Sequence, residues 1–163
     1  MTPALFHVSH DGPFTTLVPR PSPEGSPHVG RLLVWAVDEV HLPNYLVPRD
    51  CPRVCWRGDG AHVVCVEEAW ADRLDEAPLN VHRLAPARFA PLGPIGADGG
   101  YWVSTTTTAV VDVEVVTDVR AALAARAVEL RVVDDLWPLV DEVVASDRDF
   151  SCIRMHHAHP RRV

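Results

Sequence analysis

Three side chains capable of acid–base chemistry lie close together in the segment DEVHLPNYL. Asp38, His41 and Tyr45 are spaced three and four residues apart. If residues 38–46 form a short helix with Asp38 as its N-cap, this spacing places all three on one face. An imidazole between a carboxylate and a phenol suits acid–base catalysis or the orientation of a substrate. The alternative is a purely structural role, in which a capped helix carries a partly buried tyrosine.

Two arginines follow this segment and could bind an anion. Arg49 and Arg53 are four residues apart in the sequence VPRDCPR, where prolines flank them. Guanidinium groups bind phosphate or carboxylate through two parallel hydrogen bonds, so the pair could hold an anionic ligand. An internal network of Arg–Asp ion pairs is the alternative, and the sequence favours neither.

Further candidates lie on predicted strands. His7 sits in the apolar segment LFHVS, and Ser9 falls on the same strand face, from which both could hydrogen-bond a ligand. A histidine in such a strand is more often structural. Asp112 and Glu114 also share a strand face, which suits acid–base work or a metal, although a solvated face is commoner.

Cysteine and histidine usage does not predict a metal centre. Four potential ligands lie near the C-terminus: Cys152, His156, His157 and His159. They lack a second ligand pair at the spacing of helical or knuckle sites, so no designed metal site is predicted. The remaining cysteines, at positions 51, 55 and 65, form no CxxC pair. We expect all four cysteines to be buried, unreactive thiols.

The surrounding pattern indicates an α+β fold. Predicted strands cover 5–9, 32–37, 53–56, 62–66, 79–84, 101–116 (one broken strand or two), 129–133 and 150–155. Predicted helices cover 38–46, 67–76, a segment from Thr117 to Arg126, and one capped by Asp134 or Asp135. Residues 11–30 and 85–100 are predicted long loops. We therefore predict one domain over residues 1–163, with a mixed, mostly antiparallel sheet, whole or split, and three to four short helices.

The amino-acid composition excludes several classes of function. The chain has 163 residues and a net charge of −7, which argues against general nucleic-acid binding. All fifteen basic residues are arginine, which excludes a Walker-type phosphate loop, Schiff-base catalysis and Ser–Lys nucleophiles. No apolar run is long enough to cross a bilayer, and the N-terminus lacks the pattern of a signal peptide. We expect a cytoplasmic protein without a membrane partner.

Five segments together resemble an uncharacterised family of small bacterial proteins. They are LFHVS, VPRPSP, VWAVDEVHLPNYLVPRDCPRV, ELRVVDDLWPL and DFSCIRMHHAHP. The family pattern has an LYHFSE-like start, a VWAID–H–Y–PRDCPRV block and an FSIIRMRNA-like final strand. This resemblance spans most of the chain and implies membership without implying an activity.

A weaker resemblance is to the ADP-ribosyltransferase-like superfamily, which includes RNA 2′-phosphotransferases. In that comparison His7 matches the first-strand histidine, Tyr45 the tyrosine of a later helix, and Glu114 a downstream acidic residue. It implies binding of NAD or a related nucleotide in the cleft of a split sheet. The short middle helix and the lack of a clean acidic motif at a strand end depart from that pattern.

Two functional hypotheses follow. In the first, the protein binds NAD or another phosphorylated ligand near residues 38–53, with His7, Tyr45 and Glu114 as catalytic residues of an ADP-ribosyl- or phospho-transferase-like reaction. Its ligand-binding residues would be Ser9, Asp38, His41, Arg49 and Arg53. In the second, the chain is a non-enzymatic binding or interaction domain, monomeric or homodimeric, in which residues 38–53 are purely structural.

Overall fold

The computed structural model describes residues 2–24, 28–93 and 100–162. By its internal contacts the chain divides into two compact units. Unit 1 comprises Met1–Leu42 and Asn80–Val115, and unit 2 comprises Pro43–Leu79 and Val116–Val163. Each unit is therefore assembled from two separate stretches of the chain. The single domain over residues 1–163 remains a prediction.

Strands dominate the described part of the chain. The strands are β1 (Leu5–Ser9), β2 (Thr16–Leu17), β3 (Arg20–Pro21), β4 (Leu32–Asp38), β5 (Arg53–Gly58), β6 (Ala61–Glu67), β7 (Leu79–Leu84), β8 (Ala90–Pro91), β9 (Tyr101–Ser104), β10 (Thr108–Val116), β11 (Glu129–Val133) and β12 (Asp149–Ile153). The α-helices are α1 (Glu68–Ala71), α2 (Val119–Ala124) and α3 (Trp137–Val144). Short 3-10 helices cover Leu42–Tyr45, Pro86–Arg88 and Met155–His157. These elements confirm the predicted α+β class.

Unit 1 is built on one sheet with the strand order β2-β10-β7-β1-β4-β9-β8, in which β3 also pairs with β4. Strand β4 lies inside this sheet because its sequence LLVWAVD is apolar on both faces. Val34 and Ala36 are buried on one face, and Leu33 and Val37 on the other. The first of these faces contributes to a hydrophobic core of Leu5, Leu17, Val34, Ala36, Leu84 and Trp102.

Unit 2 is built on a four-stranded sheet with the order β11-β6-β5-β12. Strands β6 and β11 are parallel, whereas β5 is antiparallel to both β6 and β12. A parallel pair needs a long crossover connection, and here the chain passes through unit 1 before returning by way of α2. Helix α3 covers one face of the sheet, and the core there consists of Val54, Trp56, Val63, Cys65, Leu136 and Val143.

The starts of α2 and α3 are fixed by aspartates. The Asp118 side chain accepts a hydrogen bond from Ala121 N–H and is the N-cap of α2, so the predicted cap at Thr117 is one residue early. Asp135 accepts from Trp137 N–H at 2.9 Å, while Leu136 occupies the N-cap position of α3. Both helices thus begin where a carboxylate satisfies an otherwise unpaired backbone donor.

Three predicted elements differ from the structure. The helix over 38–46 is wrong: β4 continues to Asp38, and only Leu42–Tyr45 forms a 3-10 helix, in which Pro43 cannot donate a backbone hydrogen bond. The helix over 67–76 shrinks to α1, which is followed by turns. The last strand ends at Ile153 because Arg154 adopts a left-handed backbone with φ 56°.

The two predicted loops contain short regular elements. Residues 11–30 include β2 and β3, and residues 85–100 include a 3-10 helix and β8. Within these loops, residues 25–27 and 94–99 lie outside the described residues. Among the helices of the described residues, none has the length and apolar character needed to cross a bilayer.

The cysteines differ sharply in their environments. Cys51, Cys55 and Cys65 are buried in unit 2, whereas Cys152 is exposed on β12. Burial raises the pKa of the Cys51 and Cys55 thiols to about 12 and that of Cys65 to about 11. The expectation of buried thiols therefore holds for three positions and fails at Cys152, where the strand turns the side chain outward.

We predict that native protein at pH 8 is alkylated by iodoacetamide at Cys152 alone. Partial burial raises the pKa of Cys152 as well, but its side chain is exposed, whereas the other three thiols are buried and shielded from the reagent. Peptide mass spectrometry after timed labelling measures this, and labelling in denaturant, where all four cysteines react, is the control. Modification of Cys51 or Cys65 as fast as Cys152 would contradict the predicted burial.

Candidate functional site

An aspartate–histidine pair forms where β4 ends in unit 1. The backbone N–H of His41 donates to Asp38 Oδ1 at 2.9 Å, and His41 Nδ1 lies 2.7 Å from the same oxygen. The side chains are 5% exposed for His41 and 16% for Asp38. A carboxylate accepts, so Nδ1 carries the proton and the ring is held in one orientation, with Nε2 as its second reactive atom. Such a pair is a positioned acid–base group.

Gly100 packs directly against this pair. A Cβ atom at position 100 would overlap His41 Nδ1 and lie 2.5 Å from Asp38 Oδ2. The residue also has φ 61°, in the left-handed region that favours glycine. Sequence reasoning missed Gly100, although a Gly-Gly pair immediately before a predicted strand signals a close backbone approach. The backbone at Gly100 therefore sets the position of both side chains.

His7 and Ser9 lie on β1 and engage the backbone of unit 1. His7 Nδ1 donates to the carbonyl oxygen of Trp35 at 2.9 Å, and the His7 side chain is half-buried. Ser9 Oγ accepts from Asp11 N–H at 3.0 Å. In the antiparallel register His7 is opposite His82, and Ser9 is opposite Asn80. The strand thus places both predicted residues on one face beside a second histidine.

His82 is a buried histidine that the sequence reasoning did not single out. It is 0% exposed, and its Nε2 accepts from Phe14 N–H at 3.1 Å. Because Nε2 accepts, Nδ1 carries the proton that it donates to the His7 carbonyl oxygen at 3.1 Å. The Phe14 ring stacks on the imidazole at 5.4 Å between centroids. The histidine in the strand sequence LNVHRL was the available signal, and its two bonds fasten residues 12–14 to the sheet.

Arg53 organises the segment that precedes β5 in unit 2. The residue is only 3% exposed, and it donates four hydrogen bonds to backbone carbonyl groups. Its Nε donates to Asn44 O at 3.0 Å. Its Nη1 donates to three carbonyl oxygens, those of Pro48 (3.3 Å), Arg49 (3.2 Å) and Cys51 (2.7 Å). The guanidinium therefore fixes the path of residues 44–51.

Tyr45 and Arg49 lie in the same segment. The Tyr45 ring is half-buried, with its centroid 5.7 Å from the guanidinium carbon of Arg53. The preceding residue, Asn44, is held by a 2.9 Å hydrogen bond between its Oδ1 and His62 Nε2. Arg49 is exposed. Tyr45, a predicted catalytic residue, and Arg49, a predicted ligand-binding residue, therefore both lie in the segment of unit 2 that Arg53 organises.

Glu114 lies on β10 and is exposed. The neighbouring Asp112 accepts a hydrogen bond from Val113 N–H through its own Oδ1. Strand order places β10, β7, β1 and β4 side by side, so the strands carrying Glu114, His7 and Asp38 belong to one sheet. Glu114 is therefore in the same sheet as the aspartate–histidine pair.

The predicted residues separate into two groups. Unit 1 contains His7, Ser9, Asp38, His41 and Glu114, and unit 2 contains Tyr45, Arg49 and Arg53. The boundary falls between Leu42 and Pro43, inside the block that the sequence reasoning treated as one helix and turn. The structure brings Asp38 and His41 into contact. The helical face that was to add Tyr45 is not formed. Within the described ranges, no group of three or more His, Cys, Asp or Glu side chains is placed to hold a metal ion.

We predict that Gly100→Ala lowers the thermal unfolding midpoint more than Gly30→Ala. Both glycines have positive φ and lie in unit 1, so both substitutions incur backbone strain of about 1–2 kcal/mol. At Gly30 a Cβ meets nothing within 4 Å, whereas at Gly100 it overlaps the aspartate–histidine pair. The overlap adds about 1–3 kcal/mol of overpacking. Equal midpoints for the two variants, measured by circular dichroism, would contradict the close packing of Gly100.

Comparison with known proteins gives a family and no activity. Neither curated proteins nor solved structures include a match to this chain. A model of a family of unknown function, DUF6886, matches residues 6–62 and 57–158. These two matches span most of the sequence and include the aspartate–histidine pair, the buried Arg53 and the C-terminal strand. The chain belongs to the family of unknown function DUF6886.

Proposed function

We propose that the protein binds a small phosphorylated ligand, NAD or a related nucleotide, and that the Asp38–His41 pair is its acid–base centre. The observation that carries the proposal is the 2.7 Å contact between Asp38 Oδ1 and His41 Nδ1 in a nearly buried setting. A carboxylate that orients a histidine and stabilises its protonated form is a recurrent component of acid–base sites. We also propose that the protein acts in the bacterial cytoplasm.

The chemistry available at this pair is proton transfer through His41 Nε2. Asp38 holds the proton on Nδ1, so Nε2 would be the atom that exchanges a proton with a ligand. The backbone of Gly100 packs against both side chains and so restricts their positions. A positioned imidazole of this kind typically contributes 10²–10⁴-fold to a rate. The same pair would orient a ligand by hydrogen bonding if no reaction follows.

The ligand class rests on resemblance and on charge. The likeness to ADP-ribosyltransferase-like proteins suggests NAD, with ligand contact at His7 and support of an oxocarbenium-like state at Glu114. Ser9 lies on the strand face of His7 and would contact the same ligand. Because the chain lacks lysine, phosphate recognition would use arginine. An ADP-ribosyl- or phospho-transfer reaction is the first activity to assay.

We predict that millimolar NAD, ADP-ribose or AMP raises the thermal unfolding midpoint of the wild-type chain and leaves that of His41→Asn unchanged. Ligand at 100 times its Kd stabilises the folded state by about 2.7 kcal/mol, which is measurable by differential scanning fluorimetry. His10→Asn is the matched control, because His10 is an exposed histidine of unit 1. A wild-type midpoint that none of the three ligands moves would count decisively against a nucleotide site.

A second candidate function is favoured by Arg53. Its four hydrogen bonds to carbonyl oxygens make this arginine an architectural element. In that case the 38–53 block would give a non-enzymatic binding or interaction domain its shape, and the protein would act as a monomer or a homodimer through its surface. The Asn44–His62 hydrogen bond supports the same interpretation, because it braces the same segment.

The two arginines of the block separate these functions. We predict that Arg53→Lys lowers the thermal unfolding midpoint strongly, because an ammonium group cannot reach four carbonyl oxygens with the geometry of a guanidinium. Hydrogen bonds to a charged group contribute about 1.5–3 kcal/mol each when buried. Arg49→Lys is the matched control and should leave the midpoint unchanged, since Arg49 is exposed.

Ligand titrations on the same two variants complete the comparison. Under the nucleotide hypothesis ADP-ribose raises the midpoint of both the wild type and Arg49→Lys, since the Asp38–His41 pair is unchanged in that variant. Under the architectural hypothesis no nucleotide stabilises either variant or the wild type. A wild-type midpoint retained in Arg53→Lys would contradict the structural role assigned to Arg53.

A further inference from the structure

The C-terminal segment of the chain, residues 154–162, belongs to unit 2 and is held there through the backbone N–H and carbonyl groups of His159. The backbone N–H of His159 donates to both carboxylate oxygens of Glu67, at 3.2 and 3.1 Å. The carbonyl oxygen of His159 accepts a hydrogen bond from Trp137 Nε1 at 2.7 Å. Glu67 is at the end of β6 and Trp137 begins α3, so two elements of unit 2 bind the backbone of His159.

Side chains of the segment also contact acidic residues of unit 2. His157 Nε2 lies 3.7 Å from Asp50 Oδ1, and Arg162 Nη2 lies 3.4 Å from Asp134 Oδ2. Arg161 pairs with Asp141, and its guanidinium carbon lies 5.2 Å from the centre of the Trp137 ring. The surface beneath the segment, called here the acidic surface, consists of Asp50, Glu67, Asp134, Trp137 and Asp141.

Glu67 is the unusual member of this surface. It is a carboxylate with only 2% exposure, and among the described residues its hydrogen bonds come from the single N–H of His159. An ionised carboxylate has about four acceptor positions and binds most strongly to a guanidinium with two parallel donors. The segment therefore satisfies Glu67 only partly. A peptide that places an arginine beside Glu67 would bind this carboxylate more strongly.

Another basic peptide could replace the segment, because it could make the same contacts. The two arginine pairs involve exposed side chains, and exposed ion pairs contribute little to stability because water and salt screen them. The stacking of a guanidinium on Trp137 needs only a cation at that point. A second basic peptide can make each of these contacts in the same way.

We propose that the acidic surface is a docking site for an arginine-containing basic peptide of a partner protein, and that the chain's own segment occupies it as an internal competitor. Charge complementarity selects the partner, since acidic residues and an aromatic ring recognise arginine and reject acidic or neutral peptides. The site lies wholly within unit 2 and involves neither Asp38 nor His41. It therefore shares no residue with the proposed acid–base centre.

The test uses the full chain and a fluorescent synthetic peptide with the sequence of residues 154–163. Fluorescence anisotropy measures its binding to wild type, to the Arg161→Ala/Arg162→Ala variant, and to that variant with Asp134→Asn and Asp141→Asn added. All four substituted side chains are exposed, so the fold is retained. We expect at least tenfold tighter binding to the Arg161→Ala/Arg162→Ala variant than to wild type, because its internal competitor is weakened.

The added asparagine substitutions should abolish that gain, and a peptide with glutamine in place of its arginines should not bind. Equal binding to wild type and to Arg161→Ala/Arg162→Ala overturns the internal competition. Equal binding of the glutamine peptide overturns the arginine recognition. Size-exclusion chromatography adds a further outcome: a wild-type dimer that becomes monomeric in the Arg161→Ala/Arg162→Ala variant identifies a second copy as the occupant and overturns the assignment to a partner protein.

Discussion

A permanently charged side chain that is almost wholly buried constrains unit 2 more than any other group. Arg53 cannot lose its proton, and moving a charge out of water is costly unless its donors are satisfied. The structure provides backbone carbonyl groups as acceptors, those of Asn44, Pro48, Arg49 and Cys51. Residues 44–51 must therefore curl around the guanidinium, and this curl sets where Tyr45 and Arg49 reach the surface.

Unit 1 satisfies its buried polar side chains in a comparable way. His82 is fully buried and bonds two backbone groups, which fixes its tautomer and fastens residues 12–14 to β7. Asp38 and His41 are satisfied by each other, and the glycine at position 100 is the residue whose size permits that contact. A bonded pair of this kind is both stable and chemically competent, because the hydrogen bond that satisfies the imidazole also orients it. The Asp38–His41 pair is therefore a stronger candidate for an acid–base site than His7.

The two proposals place different chemistry in the two units. The aspartate–histidine pair of unit 1 suits proton transfer on a small ligand, whereas the acidic surface of unit 2 suits recognition of a basic peptide. The position of the acidic residues of unit 2 also shows that the net charge of −7 alone does not predict what the surface binds. Net charge argues against general nucleic-acid binding, but the arrangement of individual acids beside Trp137 is what creates a selective surface.

Much of the fold could be predicted from the sequence because most strands and helices carry local signals. The apolar run of β4 and the predicted strands over 53–56, 62–66, 79–84 and 129–133 match the observed elements to within a few residues. The α+β class followed from them. The segment 38–46 was mispredicted because its helical spacing and its proline gave opposite signals, and tertiary contacts made it a turn and a 3-10 helix.

The sequence by itself determined which chemistry was available: arginine rather than lysine for anions, no CxxC metal pair, and a carboxylate three residues before a histidine. Only the tertiary structure decided which of these groups meet. Asp38 contacts His41 because the strand ends there and Gly100, distant in the chain, approaches closely. Arg53 turns inward because carbonyl groups converge on it, and Glu67 lies beneath His159 although 92 residues separate them. Such contacts arise from packing between distant segments, which local sequence patterns do not encode.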